Sequence, residues 1–408
     1  MNGLAPTIAL LTAALLHVAA AFGADGLVPT SQPDSAAASG PGPTSRRAGP
    51  EPIVLSDHMT LAQIGGALDA NPPDWKNADA RHAIFASFDK LVTIRTNHQI
   101  GITDAQREAL GPLIAFYRRR VDRGLKKLET TQVAEGVHMF KFYSSSFVLR
   151  SAEGSVLVDF AQGPVTTDRG DPETEDVLKS GFYWTPRQRQ RLADQVDAML
   201  ITHRHFDHCD FSLAKLLIAQ GKPVVAPPQV RDGWKDLLGA PGITAPNFDR
   251  EQRVGPAVIR AMLGWQYSLN GPGPDGKHMA WANPDRPDQD SQTAVYLIKL
   301  GGVVFLNAAE NHVPCEAWLT EAQKPPGWKV NVMMAPGQWQ GAESTRQAVR
   351  NVLWLDGHEY EMTHPGAGQR LAMRLEGGMR RQYLDRKRLT LTWGEDMLLT
   401  GEWLKWTR

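Results

Sequence analysis

Three of the chain's twelve histidines fall within six residues, as His203, His205 and His208, with Asp207 directly before the last. They follow Val196 to Ile201, an apolar run of strand composition. A strand that ends in imidazoles and a carboxylate delivers them at its C-terminal end, where α/β folds place their sites. In extended backbone, residues two apart project to one side. His203 and His205 are therefore predicted to meet one metal ion, and Asp207 and His208, where the chain turns, a second. Such donors suit zinc, and iron or manganese is also accommodated. Surface or core histidines without a metal are the competing reading, and it does not explain four ligand-type side chains in so short a run.

The surrounding sequence alternates strand and helix patterns, which indicates an α/β architecture. Val137 to Leu149 carries β-type residues, and Ser155 to Phe160 is a strand that ends on Asp159. Helices are predicted over Thr185–Gln195 and Phe211–Ala219. A turn and strand follow over Gly221–Pro227, and later strands over Ala257–Leu263, Thr293–Leu300, Gly302–Leu306 and Val330–Met334. Upstream, Phe85, Phe88, Leu91 and Val92 recur at helical spacing, as do Leu110, Leu113, Ile114, Phe116 and Tyr117, and Thr103 with Gln106 fits a capping box. Residues 71–130 are thus predicted as a helical region. Residues 24–70, rich in Pro, Ser and Ala, are predicted as a linker. Residues 1–23 have the apolar stretch Ile8–Phe22 of a signal peptide, which predicts an exported protein, periplasmic or secreted. No Lys or Arg precedes that stretch, so an uncleaved anchor is the alternative. No later segment reaches the roughly 18 apolar residues of a membrane span.

Lys plus Arg equal Asp plus Glu at 44 each. A nucleic-acid binder relies on basic excess, so no nucleic-acid partner is expected. Arg118–Arg120 and Arg380–Arg381 read as solvated helix faces. Two cysteines, Cys209 and Cys315, do not make a disulfide scaffold and are expected as free thiols. Ser144–Ser146 reads as a polar loop; neither a Gly-x-Ser-x-Gly elbow nor a phosphate loop occurs. Trp265, Trp281, Trp318, Trp328 and Trp339 are either ordinary packing or the lining of an apolar pocket.

Thr202 to His208 resembles the signature of the metallo-β-lactamase superfamily of hydrolases, over roughly residues 131–408. The resemblance implies an αββα sandwich with an N-terminal helical extension. It makes Asp159 a structural group that orients ligands. It implies three more ligands: His278 in a Gly/Pro-rich loop, since Gly264-Trp265 offers no histidine; Glu310, with Ala309 where a glycine is usual and His312 as a lesser candidate; and His364, with His358 as competitor. Asp207 would hold a metal and orient the nucleophile. The implied activity is attack by a metal-bound hydroxide on a lactone, amide or phosphodiester, in a small-molecule or lipid-like substrate. The order around Pro223–Pro227 is most similar to the branch of sugar-phosphate lactonases and N-acyl-phosphatidylethanolamine phospholipase D-type enzymes. The alternative is a degenerate member that binds metal with weak or no catalysis; a nuclease of the same superfamily fits the neutral charge poorly.

Overall fold

The computed structural model describes residues 60–91, 111–163, 183–266, 291–336, 352–357 and 388–404, except 206, 239–241, 249, 310 and 312–314, and also residues 108, 345, 348 and 349. Two seven-stranded sheets carry the fold. In the first, β1 (Val137–Lys141), β2 (Phe147–Ser151) and β3 (Gly154–Val158) form an antiparallel meander. β4 (Ala198–Leu200), β5 (Val224–Val225) and β6 (Ile243–Thr244) then add in parallel. The second begins with β7 (Gln252–Val254), β8 (Ala257–Gln266), β9 (Ser291–Leu300) and β10 (Val303–Asn307), antiparallel in sequence order. β11 (Val332–Pro336), β12 (Leu353–Gly357) and β13 (Arg388–Leu389) extend it in parallel. β14 (Asp396–Leu399) returns to the first sheet and pairs antiparallel with β1.

Close approaches of glycines show the sheets face to face. A Cβ at Gly255, in the β7–β8 turn, would lie 2.9 Å from Ala198 Cβ, and one at Gly301, in the β9–β10 turn, 2.9 Å from Ser151 Cβ. The residues between them form one continuous buried cluster that includes Val158, Leu200, Tyr296 and Phe305. The αββα expectation is met: helices α4 (Pro186–Gln195), α5 (Phe211–Ala219) and α6 (Pro228–Leu238) accompany the first sheet, and α7 (Glu316–Ala322) the second, where Leu319 joins Val304 and Leu306 in a separate apolar cluster.

The N-terminal helices are α1 (Leu61–Ala70), α2 (Ala78–Leu91) and α3 (Gly111–Thr130). The predicted linker over 24–70 therefore ends in a helix. Thr60 accepts a bond from the Gln63 backbone while the Gln63 side chain reaches back, a capping box, and Ile64 and Leu68 bury one face. Residues 1–59, with the apolar segment, lie outside the described residues, as does the Thr103 cap. Leu113, Tyr117, Val121 and Leu125 of α3 share the main core with Phe142 and Trp393. Arg81 of α2 makes a buried two-pronged pair with Glu395, at 2.8 and 2.7 Å. Arg120 corrects the expectation of a solvated basic face: it is buried, bonded to Asp69 at 2.7 Å and to the Trp393 carbonyl at 2.9 Å. The β-type stretch Val137–Leu149 is two strands, because a hairpin turn is closed by the Phe142 N–H on the Ser146 carbonyl and the Ser146 N–H on the Tyr143 carbonyl. Ser144–Ser146, expected as a loop, are buried in that turn. No helix among the described residues is long and apolar enough to cross a membrane.

Candidate metal centre

β3 and β4 run parallel with Val158 opposite Leu200, so their C-terminal ends lie side by side. Asp159 sits just past β3, buried, with φ 51°, a left-handed conformation that costs a non-glycine residue about 1 kcal/mol or more. Its carboxylate offsets that cost. Oδ1 accepts from the Thr202 backbone N–H at 2.7 Å, and Oδ2 accepts from Thr202 Oγ1 at 2.9 Å and His208 Nδ1 at 2.8 Å. The Thr202 hydroxyl has a single proton, given to Asp159, so it accepts from His203 Nδ1–H at 3.0 Å. This network places both ring protons on Nδ1 and leaves Nε2 of His203 and His208 as the bare nitrogens. Asp159 is thus the orienting group that the resemblance implied. Thr202 is a partner that sequence reading passed over, although it stands beside the first histidine.

The chain then bends at Arg204 and His205 and turns at Asp207, where the His208 N–H donates to the His205 carbonyl at 3.0 Å. His203, Asp207 and His208 come together, all buried, each offering one ligand atom within 4.8 Å of the others. His208 Nε2 lies 3.5 Å from Asp207 Oδ2, and the His203 and His208 rings are 4.1 Å apart. His205 is half-buried and falls outside that tight group, although its ring is 4.7 Å from the His203 ring. His278, Glu310 and His364, with His312 and His358, lie outside the described residues. Ala309, directly before Glu310, has φ 44° and donates its N–H to Asn307 Oδ1 at 2.9 Å, so alanine holds there a conformation that favours glycine.

Two imidazoles held by Nδ1, with a buried carboxylate within 4.8 Å, are a donor set that fits a divalent cation. The surroundings are apolar enough to shift neutral groups. Burial raises the Tyr296 hydroxyl and the Cys209 thiol well above their ordinary values, with the nearby Asp159 charge adding to both. Cys209, although next to His208, is a buried free thiol and is not one of the three clustered donors. Cys315 is the other free thiol, and burial lifts it to about 11.

Residues 139–319 match the family model of the metallo-beta-lactamase superfamily. This segment is a metallo-beta-lactamase superfamily domain. Structural comparison of the chain gives an isothiocyanate hydrolase from Delia radicum gut bacteria at 15% identity and TM-score 0.45, covering 65% of this chain and 100% of that one. The metallo-beta-lactamase fold protein YhfI from Bacillus subtilis gives 11% identity and TM-score 0.37, covering 65% and 99%. CmlA, a diiron beta-hydroxylase from Streptomyces venezuelae, gives 13% identity and TM-score 0.40, covering 66% and 55%. No curated protein sequence matches the chain. Within the metallo-beta-lactamase domain, β8 runs on through Gly264, past the strand end at Leu263 after which a histidine was sought, and a Cβ at Gly264 would lie 2.0 Å from Asn311 Oδ1. Of the tryptophans proposed as pocket lining, Trp328 is packed against Arg260 and bonded to Glu251 at 2.9 Å, which is ordinary packing, and Trp318 is half-buried beside the outer apolar cluster. The side chains of Trp265, Trp281 and Trp339 are outside the described residues.

Proposed function

We propose that the chain is a zinc-dependent hydrolase, with His203, Asp207 and His208 as the core of its metal site and His205, His278, Glu310 and His364 as the remaining ligands. Iron or manganese would suit the same donors. The observation that carries this reading is the buried group of three donors within 4.8 Å, with both Nδ1 atoms already committed elsewhere. A divalent ion bound there supplies Lewis acidity and lowers the pKa of water toward neutrality. Asp207 orients the attacking water and takes its proton at a carboxylate oxygen. Asp159 and Thr202 hold the two imidazoles by Nδ1 so that the unprotonated Nε2 atoms would face the ion. The bond broken is a lactone, amide or phosphodiester in a small-molecule or lipid-like substrate, and the lactonase and N-acyl-phosphatidylethanolamine phospholipase D-like branch is the reading of the Pro223–Pro227 order. The apolar stretch Ile8–Phe22 supports export to the periplasm or beyond the cell, and the balanced charge supports a partner other than nucleic acid.

The test uses zinc-loaded protein with an aryl lactone, an anilide and bis(p-nitrophenyl) phosphate. Asp207→Asn should lower turnover of whichever is hydrolysed by about 10²–10⁴-fold, the range for a lost proton-transfer group, with its far-UV spectrum unchanged. Full turnover in the variant would remove Asp207 from this role. The second reading, a metal-binding member with weak or no catalysis, is favoured by Gly264, where Asn311 fills the space that a side chain would need. Stoichiometric zinc with no hydrolysis of the three substrates would select it.

A further inference from the structure

The four residues from Asp159 to Gln162 are each held from a different side. Asp159 binds Thr202 and His208. Phe160 donates its N–H to the His208 carbonyl at 3.0 Å and packs edge-on against Trp184 at 5.0 Å. Ala161 donates its N–H to Ser146 Oγ at 3.0 Å. Gln162 is the hub. Its side-chain amide donates to Asp210 Oδ2 at 2.6 Å and to Ser212 Oγ at 3.2 Å, and its side-chain oxygen accepts from Arg189 of α4 at 2.9 Å. Asp210 is two residues beyond His208 and caps α5, accepting from the Leu213 N–H at 2.9 Å. The ligand loop is thus pinned on its near side by Asp159 and on its far side by Asp210, and Gln162 joins the two.

The backbone carbonyl of Gln162 is bound from outside the family segment. Tyr117 of α3, fully buried, donates its hydroxyl to that carbonyl and accepts from Trp184 Nε1 at 2.9 Å. Burial raises the tyrosine pKa, so the group is a permanent donor. Its ring stands edge-on to Trp393 at 5.0 Å and to Tyr143 at 6.0 Å, which fixes the direction of the hydroxyl. α3 ends at Thr130 and the family match begins at Met139. We infer that Tyr117 is a positioning residue for the metal centre, so that the helical extension sets metal affinity through Tyr117, Gln162 and Asp210. This rests on the reading of His203, Asp207 and His208 as ligands. Outer groups that orient ligands shift affinity by about 10–100-fold when removed. Tyr117 stands further out, behind Gln162 and Asp210, so the lower figure is the most its loss should cost.

The experiment is a zinc titration of the full chain against a chromophoric chelator, with melting temperature of the metal-free protein measured alongside. Tyr117→Phe keeps the ring and removes only the hydroxyl. Its zinc Kd should rise by about tenfold, Gln162→Met should do the same, and the double variant should be less than additive, because both act through one segment. Val121→Ala, one turn along the same buried face of α3, should lower the melting temperature and leave Kd unchanged. An unchanged Kd in Tyr117→Phe overturns the inference, as does an equal Kd shift in Val121→Ala, which would mark general loosening. Should Tyr117→Phe fail to fold, the linked Gln162→Met and Val121→Ala pair decides: equal zinc affinity in both overturns the relay. Wild-type protein that binds no zinc refutes the metal-centre reading itself, and so is distinct from wild-type binding with unaffected variants.

Discussion

Asp159→Asn is the most informative single change, because it keeps shape and backbone while altering one proton. Asn tolerates the left-handed φ of 51° that Asp159 occupies, so the turn after β3 should survive. The amide, however, has only one acceptor atom. Placed with its NH₂ at Oδ2, it sets a donor against His208 Nδ1–H and the Thr202 hydroxyl; placed at Oδ1, it opposes the Thr202 N–H. Either orientation loses a charge-assisted bond, worth about 1.5–3 kcal/mol, and the first favours moving the His208 proton to Nε2, the atom needed for the metal. At 1.4 kcal/mol per tenfold, zinc affinity should fall by about 10–100-fold. The assay is competition with a chromophoric chelator, with the metal-free melting temperature as control for folding. An affinity within twofold of wild type, in a folded variant, would refute the assignment of Asp159 as the group that sets the His208 tautomer.

Two further outcomes follow from buried titratable groups. Cys209 and Cys315 are both buried with raised thiol pKa values, so Ellman's reagent should label neither in native protein and two per chain after denaturation; one fast native thiol would contradict the packing. Burial pushes the Asp396 carboxyl up, but its bond to His138 at 2.9 Å and the charges of His138, Lys127 and Arg123 outweigh that and hold it below its ordinary value of 3.8. A depressed carboxyl pKa stabilises the fold above the unfolded value and loses that contribution as pH falls through the folded one. Asp396→Asn should therefore flatten the loss of melting temperature below about pH 4, and parallel curves for variant and wild type would show that the pair contributes nothing.

The strand, ligand run and helix from Ala198 to Ala219 were legible because each depends on local pattern: an apolar run, close-set ligands, and Asp210 at a helix start. Local pattern fails where contacts span the chain. β14 pairs Leu399 with Val137, and nothing near either residue announces it. The β1–β2 turn lacks glycine and proline and merged with its strands. α1 was hidden by the small-residue composition around it, although Thr60 and Gln63 stand at capping-box spacing and were the available signal. In the site, the ligand types were evident, but the bonds from Asp159 to Thr202 and His208 were not, since they cross between two strand ends. Tyr117 was visible only as an apolar position in a helical period; its hydroxyl meets a carbonyl 45 residues away.

X-ray absorption of the zinc-loaded protein tests the central claim most directly. The account predicts a shell of nitrogen and oxygen at about 2.0–2.1 Å with the outer scattering of at least two imidazoles, from His203 and His208, and no sulfur. A sulfur shell at about 2.3 Å, which would bring in Cys209, or a shell without imidazole, would contradict it.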